Sequence, residues 1–429
     1  MKPIRIGICS LLAFSVLAHG AVEPWSEAIL EIGAALLLTI WAVAFARGKV
    51  SGLRWNPLLW PISALLGVAM LQYALRLSEL PFLTQIELLK LFALAILLFV
   101  AVQAFETREE WQGFIWFVLV LGFVVSVFGI LQHFTFNGKL YWVREMAYGG
   151  IPFGPYVNRN HFAGLMELII PAGLSMLFVQ GDRRDRLPLI GILTLLPIGA
   201  IFLAASRAGI TCLLLEAGIL LVLLFFRGPG RVPLKAAAVV IVITGALVAW
   251  LGVGQALERF STYRQLEVTE TRRMEMSRDS WRIFRDHPVM GTGLGTLQEV
   301  FPRYETLYDG KTVNHSHNDY VEMLAETGFA GGICCVVFLL VLFRQSWARL
   351  KGPKNAIDLA LHIGAFTACC GLLAHSFVDF NLHIPSNALL FLLQAALATS
   401  VTPHGGFPHR LGRAQDFHKS RVVTGGVPV

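Results

Sequence analysis

Residues 255–328 form the one long polar stretch in an otherwise apolar chain, and they close on Asn314-His315-Ser316-His317-Asn318-Asp319-Tyr320 just ahead of the next apolar run. A membrane lipid would meet acid–base chemistry there and almost nowhere else. Histidine is the side chain whose ordinary titration range straddles neutrality. Ser316 with Asp319 three residues on has the form of a capping pair, and Gly328 is a natural C-terminal stop, which predicts a short helix over 317–327. His317 then falls in the first turn, where the helix dipole disfavours imidazolium and leaves the ring able to accept a proton. His315 is read as an orienting neighbour or as a plain loop residue.

The second chemistry is anion binding. Ser206-Arg207-Ala208-Gly209 sits in a tight turn between two apolar runs, with Ser206 placed to cap the helix that follows. A guanidinium beside free helix N–H groups makes an anion site at membrane depth, the alternative being a snorkelling arginine. Met274, Ser277, Trp281 and Phe284 recur at helical spacing beside Arg278, Arg282 and Arg285. They predict an amphipathic helix with arginines toward lipid phosphates, or equally a solvated charged face over a packed one. Asp286-His287-Pro288 stops that helix. Gly291-Thr292-Gly293-Leu294-Gly295 reads as a flexible turn, not a dinucleotide fingerprint, because no strand precedes it. Arg159 and His161 stand at the mouth of another apolar run and either line a substrate path or anchor a loop; Tyr304 and Arg303 are weaker candidates of the same kind. His375 and Asp379 are one helical turn apart. Asp379 is expected to pair with an arginine or cap a turn, and neither is given a catalytic part.

The elements that must position these groups are membrane spans. With 55% hydrophobic and 15% charged residues and a mean hydropathy of +0.63, the chain cannot form a soluble core inside a polar shell. Apolar runs near 6–20, 27–46, 58–75, 88–104, 113–133, 162–180, 189–205, 208–226, 236–254, 329–345, 357–378 and 386–402 give about 12 candidates at the ~20 residues a bilayer requires. The fold class is therefore an all-α integral membrane protein: spans 1–9 over 1–254, a long outer loop over 255–328, spans 10–12 over 329–402, and a disordered tail over 403–429.

Orientation follows from Lys and Arg in the short connections. Lys2/Arg5, Arg47/Lys49/Arg54, Arg108, Arg183/Arg184/Arg186, Arg227/Arg231/Lys235, Arg344/Arg349/Lys351/Lys354 and the basic tail share one side, whereas the opposite loops carry Arg76, Lys139, Arg144, Arg159 and Arg207. Both termini are expected in the cytoplasm and the long loop outside. The first run also has the look of a signal peptide, with Ala18-His19-Gly20 at a cleavage position; its removal leaves the remaining topology unchanged. The net charge of +7 is mostly this cytoplasmic bias and does not argue for nucleic acid. All six cysteines fall in apolar runs, where they read as small packing residues, and no Cys/His spacing suggests zinc.

Taken together, several motifs resemble one family. Asn158-Arg159-Asn160-His161-Phe162-Ala163, Ser206-Arg207-Ala208-Gly209, the stretch from Arg273 through Asp286-His287-Pro288 to Gly291–Gly295, His315-Ser316-His317-Asn318-Asp319-Tyr320 leading to Glu326-Thr327-Gly328, and Asp379-Phe380-Asn381-Leu382-His383 are similar to the O-antigen ligase and polymerase family, as is Gly20-Ala21-Val22-Glu23-Pro24-Trp25. The likeness lies in their order and spacing. It implies a polytopic, GT-C-like glycosyltransferase of the bacterial inner membrane with its active site facing the periplasm. It further implies an undecaprenyl-diphosphate glycan as donor and a hydroxyl acceptor on lipid A core, another lipid-linked glycan or a protein. No metal or other cofactor is implied. Carried over by motif, His317 is the catalytic base, and Arg207 and Arg273 bind the diphosphate; Arg159, His161, His315, Arg278 and Arg282 are substrate-binding candidates.

Two other classes compete. A flippase or transporter would suit the many spans and an anion-binding arginine, but flipping needs no general base. A nucleotide-sugar synthase needs an acidic cytoplasmic catalytic fold, for which the cytoplasmic segments are too short.

Overall fold

The computed structural model describes residues 1–50, 52–145, 151–179, 184–227, 270–308, 310–351 and 355–401. The expected span at 236–254, the first part of the long loop and the tail lie outside the described residues. Thirteen helices carry the architecture described here: α1 (Lys2–Leu17), α2 (Pro24–Ala46), α3 (Leu59–Ala74), α4 (Pro81–Ala104), α5 (Arg108–Phe134), α6 (Arg159–Glu167), α7 (Ile170–Val179), α8 (Leu187–Ala204), α9 (Arg207–Arg227), α10 (Glu270–Asp286), α11 (Asp319–Lys351), α12 (Ala356–His375) and α13 (Pro385–Thr399). Among the described residues there is no strand beyond two isolated bridges. Among the described residues, eight units are long and apolar enough to cross a membrane: α2, α4, α5, α6 with α7, α8, α9, α11 and α12. Helices α3 and α13 are apolar but shorter. The chain is a multi-pass membrane protein.

Local signals start the helices where they are found. Pro24, Pro81 and Pro385 occupy first-turn positions, where a missing N–H costs nothing. Thr107 and Glu110 form a reciprocal capping box, and Asn355 caps α12. In lipid, helices associate by close packing and interhelical hydrogen bonds, because hydrocarbon outside is as apolar as the interface. Helix α7 accordingly meets α12 through small residues: Ser175 Oγ donates to the Ala360 carbonyl at 2.7 Å, and Gly364 faces Ala172 and Ser175. Phe329, Ile333, Val336 and Leu340 form an exposed apolar stripe along α11, as a lipid-facing surface requires.

Two close approaches set the site. Gly164 on α6 leaves room for the Asn381 side chain, and Gly209 on α9 lies against Ala163, so a β-carbon at either would collide. The starts of α6 and α9 are thereby held against the segment after α12.

The described part of the long loop has a small core of its own. Met276 and Ile283 on α10 pack with Leu297, Val300, Phe301, Val313 and Ala325. The packed face of α10 therefore runs through Met276, Asp279, Ser280 and Ile283, while Met274 and Trp281 of the expected stripe are exposed. Helix α10 ends at Asp286, two residues before Pro288, as the sequence predicts. The glycine-rich turn is pinned instead of flexible. Thr292 and Gly293 N–H donate to the Ala325 and Glu326 carbonyls, Leu294 N–H to Gln72 Oε1, and Gly295 and Leu297 N–H to the Glu326 carboxylate.

Gly328 breaks α11 at φ 62°, ψ −159°, separating a first segment, Asp319–Thr327, from the spanning part. The expected stop is where it was placed. The expected cap is not: Asn318 Oδ1 accepts from Tyr320 and Val321 N–H, while Ser316 Oγ serves Asn318 and Glu322, so His317 precedes the helix and does not sit in its first turn.

Candidate active site

The alternation of spans brings the start of α6, the start of α9, the loop before α11 and the segment after α12 to one end of the bundle. Asp379 is the point where they meet. Its carboxylate is fully buried, accepts from Asn160 Nδ2 at 2.6 Å and from His317 Nδ1 at 3.2 Å, and lies 3.8 Å from His161 Nε2 and 4.0 Å from an Arg273 nitrogen. Asn160 extends the network, since Ser206 Oγ donates to its Oδ1 at 2.8 Å and accepts from Gly209 N–H at 3.1 Å. The cap of α9, whose first residue is Arg207, is thus two side chains from the carboxylate that holds His317.

The electrostatics of Asp379 follow from these contacts. Burial alone would raise its carboxyl, but the hydrogen bond from His317 and the charges around it, Arg273 included, outweigh that and hold it well below the usual carboxylate range. An ionised carboxylate can only accept, so in the neutral imidazole of His317 the proton sits on Nδ1 and the lone pair is on Nε2. His317 also has φ 53°, and Ala205, just before Ser206, has φ 54°. Left-handed backbone at a non-glycine costs about 1–3 kcal/mol and persists where surrounding contacts impose it.

A second group lies behind the first. His383 donates Nδ1–H to Asp319 at 2.7 Å and lies 3.4 Å from Glu322, which also takes Nδ1 of His315 at 2.7 Å. Burial would lower His383, yet Glu322 and the hydrogen bond to Asp319 push it up to about 10, so it is a cation at neutral pH. Phe380 touches both groups: His315 stacks on its ring at 4.2 Å, and the His317 and His161 rings stand nearly perpendicular to it at 5.0 and 4.7 Å. His315 is therefore a tethered neighbour of His317. Asp319, expected as a capping partner, serves His383 and Leu382 N–H instead.

The arginines divide. Arg273 joins the network by donating to the Val378 carbonyl at 3.0 Å beside Asp379. Arg207 is the exposed first residue of α9, and Arg159 is buried at the start of α6 near the Ala204 carbonyl. Arg278 and Arg282 stay on the exposed side of α10, ion-paired with Glu275 and Asp279, with side chains 64% and 50% exposed; the network just described does not include them. The basic stripe that helical spacing predicted, Arg278, Arg282 and Arg285, does not contain Arg273, which is the arginine of α10 that approaches Asp379.

Residues 192–336 match the family model described as O-antigen ligase, from within α8 into α11, and so span Arg207, Arg273, His315 and His317. Over those residues the chain is similar to the O-antigen ligase family. No curated protein matches the chain. The O-antigen ligase match covers about a third of the sequence and leaves Arg159, Asn160, His161 and Asp379 outside it. Asp379 was expected to pair with an arginine or cap a turn, and Arg273 approaches it, but its bond to His317 was not foreseen; Asn160 was passed over, its signal present only as a motif neighbour of His161.

Proposed function

We propose that the chain moves a glycan from an undecaprenyl-diphosphate donor to an acceptor hydroxyl at the outer face of the bacterial inner membrane, with His317 as general base and Arg207 and Arg273 as diphosphate ligands. The observation carrying this reading is the hydrogen bond from His317 to a buried carboxylate that Arg273 also approaches. A base needs an oriented ring, and a diphosphate leaving group needs charge neutralisation more than protonation.

In this reading Asp379 fixes the His317 tautomer, and Nε2 takes the acceptor hydroxyl proton as the oxygen attacks the anomeric carbon. The bond from that carbon to phosphate oxygen breaks, and the diphosphate leaves with the electron pair. Planar guanidinium groups match its oxygens in a fork that lysine lacks. Arg159 and His161 line the inner wall, His315 supports the acceptor side, and the exposed Arg278 and Arg282 face lipid phosphates. The chemistry at His317 uses no divalent metal.

The acceptor is lipid A core in a ligase, a second lipid-linked glycan in a polymerase, or a protein. The glycan profile of a deletion strain distinguishes them: loss of all lipid-A-linked glycan marks a ligase, and single attached repeats mark a polymerase. The mechanism is tested with His317→Ala and Arg207→Ala in purified protein. His317→Ala should abolish transfer yet bind lipid diphosphate, and Arg207→Ala should weaken that binding. Near-normal transfer by both His317→Ala and His315→Ala would end the general-base reading, and donor crossing the membrane unchanged in kind would favour a flippase.

A further inference from the structure

Below this site, deeper in the bundle, three helices bring together a different set of donors. Glu167 at the end of α6, Cys212 on α9 and His375 at the end of α12 are all buried, and each offers a ligand atom within 4.8 Å of the others. His375 Nδ1 meets the Glu167 carboxylate at 2.8 and 3.1 Å. Glu216, one turn beyond Cys212 on the same face of α9, is only 1% exposed, and neither of its carboxylate oxygens has a hydrogen-bond partner among the described residues; His375 Nε2 has none either. Glu216 presses on Gly371, which is one turn from His375 on α12 and could not carry a β-carbon beside that carboxylate. Counting nine residues from Arg207 at the usual helical rise, Glu216 lies about 13 Å into the bundle, near the bilayer midplane.

A polar group left unpartnered at that depth is expensive and marks a site. A proton on Glu216 would cancel its charge but leave its oxygens without partners, whereas a cation satisfies both. Sodium, magnesium and calcium take mainly oxygen ligands, while a thiol, an imidazole and carboxylates form the mixed S, N, O set of a four-coordinate transition-metal dication. Three ligands come from three different helices. No local spacing in the sequence records them.

We propose that Glu167, Cys212 and His375, with Glu216 as fourth ligand, bind a dication of the zinc class as a structural tie inside the membrane-spanning region. Its entry exchanges two positive charges for two protons, one from the Cys212 thiol and one from the Glu216 carboxyl, and replaces the His375–Glu167 hydrogen bond with bonds to the metal. The tie joins the helices that carry Asn160, Ser206 and, one turn past His375, Asp379. It holds their register and touches no reacting atom, so it is independent of the transfer chemistry.

The test is metal content of the full chain, purified in detergent through a tag that binds no metal, from zinc-supplemented cells. About one zinc per chain is expected, falling at least roughly fivefold in Cys212→Ser and in Glu216→Gln and retained in Cys212→His, which restores a ligand. Cobalt added after stripping should give a thiolate-to-metal absorption band that Cys212→Ser lacks. His317→Ala should keep the metal while losing transfer, which separates this inference from the catalytic one. Zinc below about a tenth of an ion per wild-type chain with no cobalt–thiolate band, or equal metal in wild type and Cys212→Ser, overturns it.

Discussion

His317 owes its proposed role to Asp379, which lies 62 residues away in sequence and fixes which ring nitrogen carries the proton. Asp379→Asn keeps the shape but can donate to Nδ1, turning the tautomer and placing the proton on the nitrogen that should accept. Transfer should fall by about 10²- to 10⁴-fold with donor affinity little changed, the range expected for losing general-base catalysis. Comparable rates in Asp379→Asn and wild type would remove the base–carboxylate pair from the mechanism. Because Asp379 is held well below the ordinary carboxylate range, its contribution to stability is present above about 3.9 and is lost only as pH falls through that lower value. Any loss of transfer just below neutrality therefore belongs to another group. His383 has the opposite sign. Raised to about 10, it stabilises the fold fully below about 6.5, and that stabilisation declines as pH rises toward 10. Melting temperature should drop along that interval, and His383→Gln should flatten the slope. Arg273 and His317, picked by motif, both approach Asp379, whose pairing with an arginine was expected, whereas Asn160 was not singled out, since a buried polar residue has no mark in sequence until its partners are in place.

At the level of elements, spans and stops were legible because apolar run length, Pro and Gly act locally. Gly328 ends the first segment of α11 as its residue type suggested. Capping was harder to read: two candidate side chains, Ser316 and Asn318, compete within three residues, and the hydrogen bonds of Glu322 and His383 decide the outcome. On α10 the apolar residues at helical spacing divide, Phe284 buried and Met274 and Trp281 exposed, because the small loop core selects Met276 and Ile283. Ser206 gives an element-level prediction. Ser206→Ala removes the α9 cap and its bond to Asn160, and should destabilise the protein by about 1 kcal/mol. A reduction in transfer should accompany it, measured at a temperature where the variant remains folded. Unchanged melting and unchanged transfer would show that the α9 cap does not position the site.

For the whole molecule, eight of the twelve apolar runs expected as spans are helices long and apolar enough to cross a membrane among the described residues, and how they assemble was not legible from hydropathy. Nothing in a single span says that α6, α9 and the segment after α12 converge; that follows from Gly164 against Asn381 and Gly209 against Ala163. Two predictions belong here. The guanidinium groups of Arg207 and Arg273 should sit within roughly 15 Å of one another around bound lipid diphosphate, and an experimental complex placing them farther apart, beyond the reach of unscreened charge, would contradict the shared pocket. Transfer by purified protein should need no added magnesium or manganese; activity that vanishes in chelator and then returns with either of these would contradict metal-free chemistry at His317.

Phe380 carries a consequence of another kind. One benzene ring lies against three imidazoles, stacked on His315 and nearly perpendicular to His161 and His317. Its circulating π electrons must therefore displace the resonances of the carbon-bound protons on all three rings. In a protein with isotopically labelled histidines, that one ring becomes a built-in magnetic reporter, and Phe380→Leu should move three resonances together while the remaining histidines keep theirs.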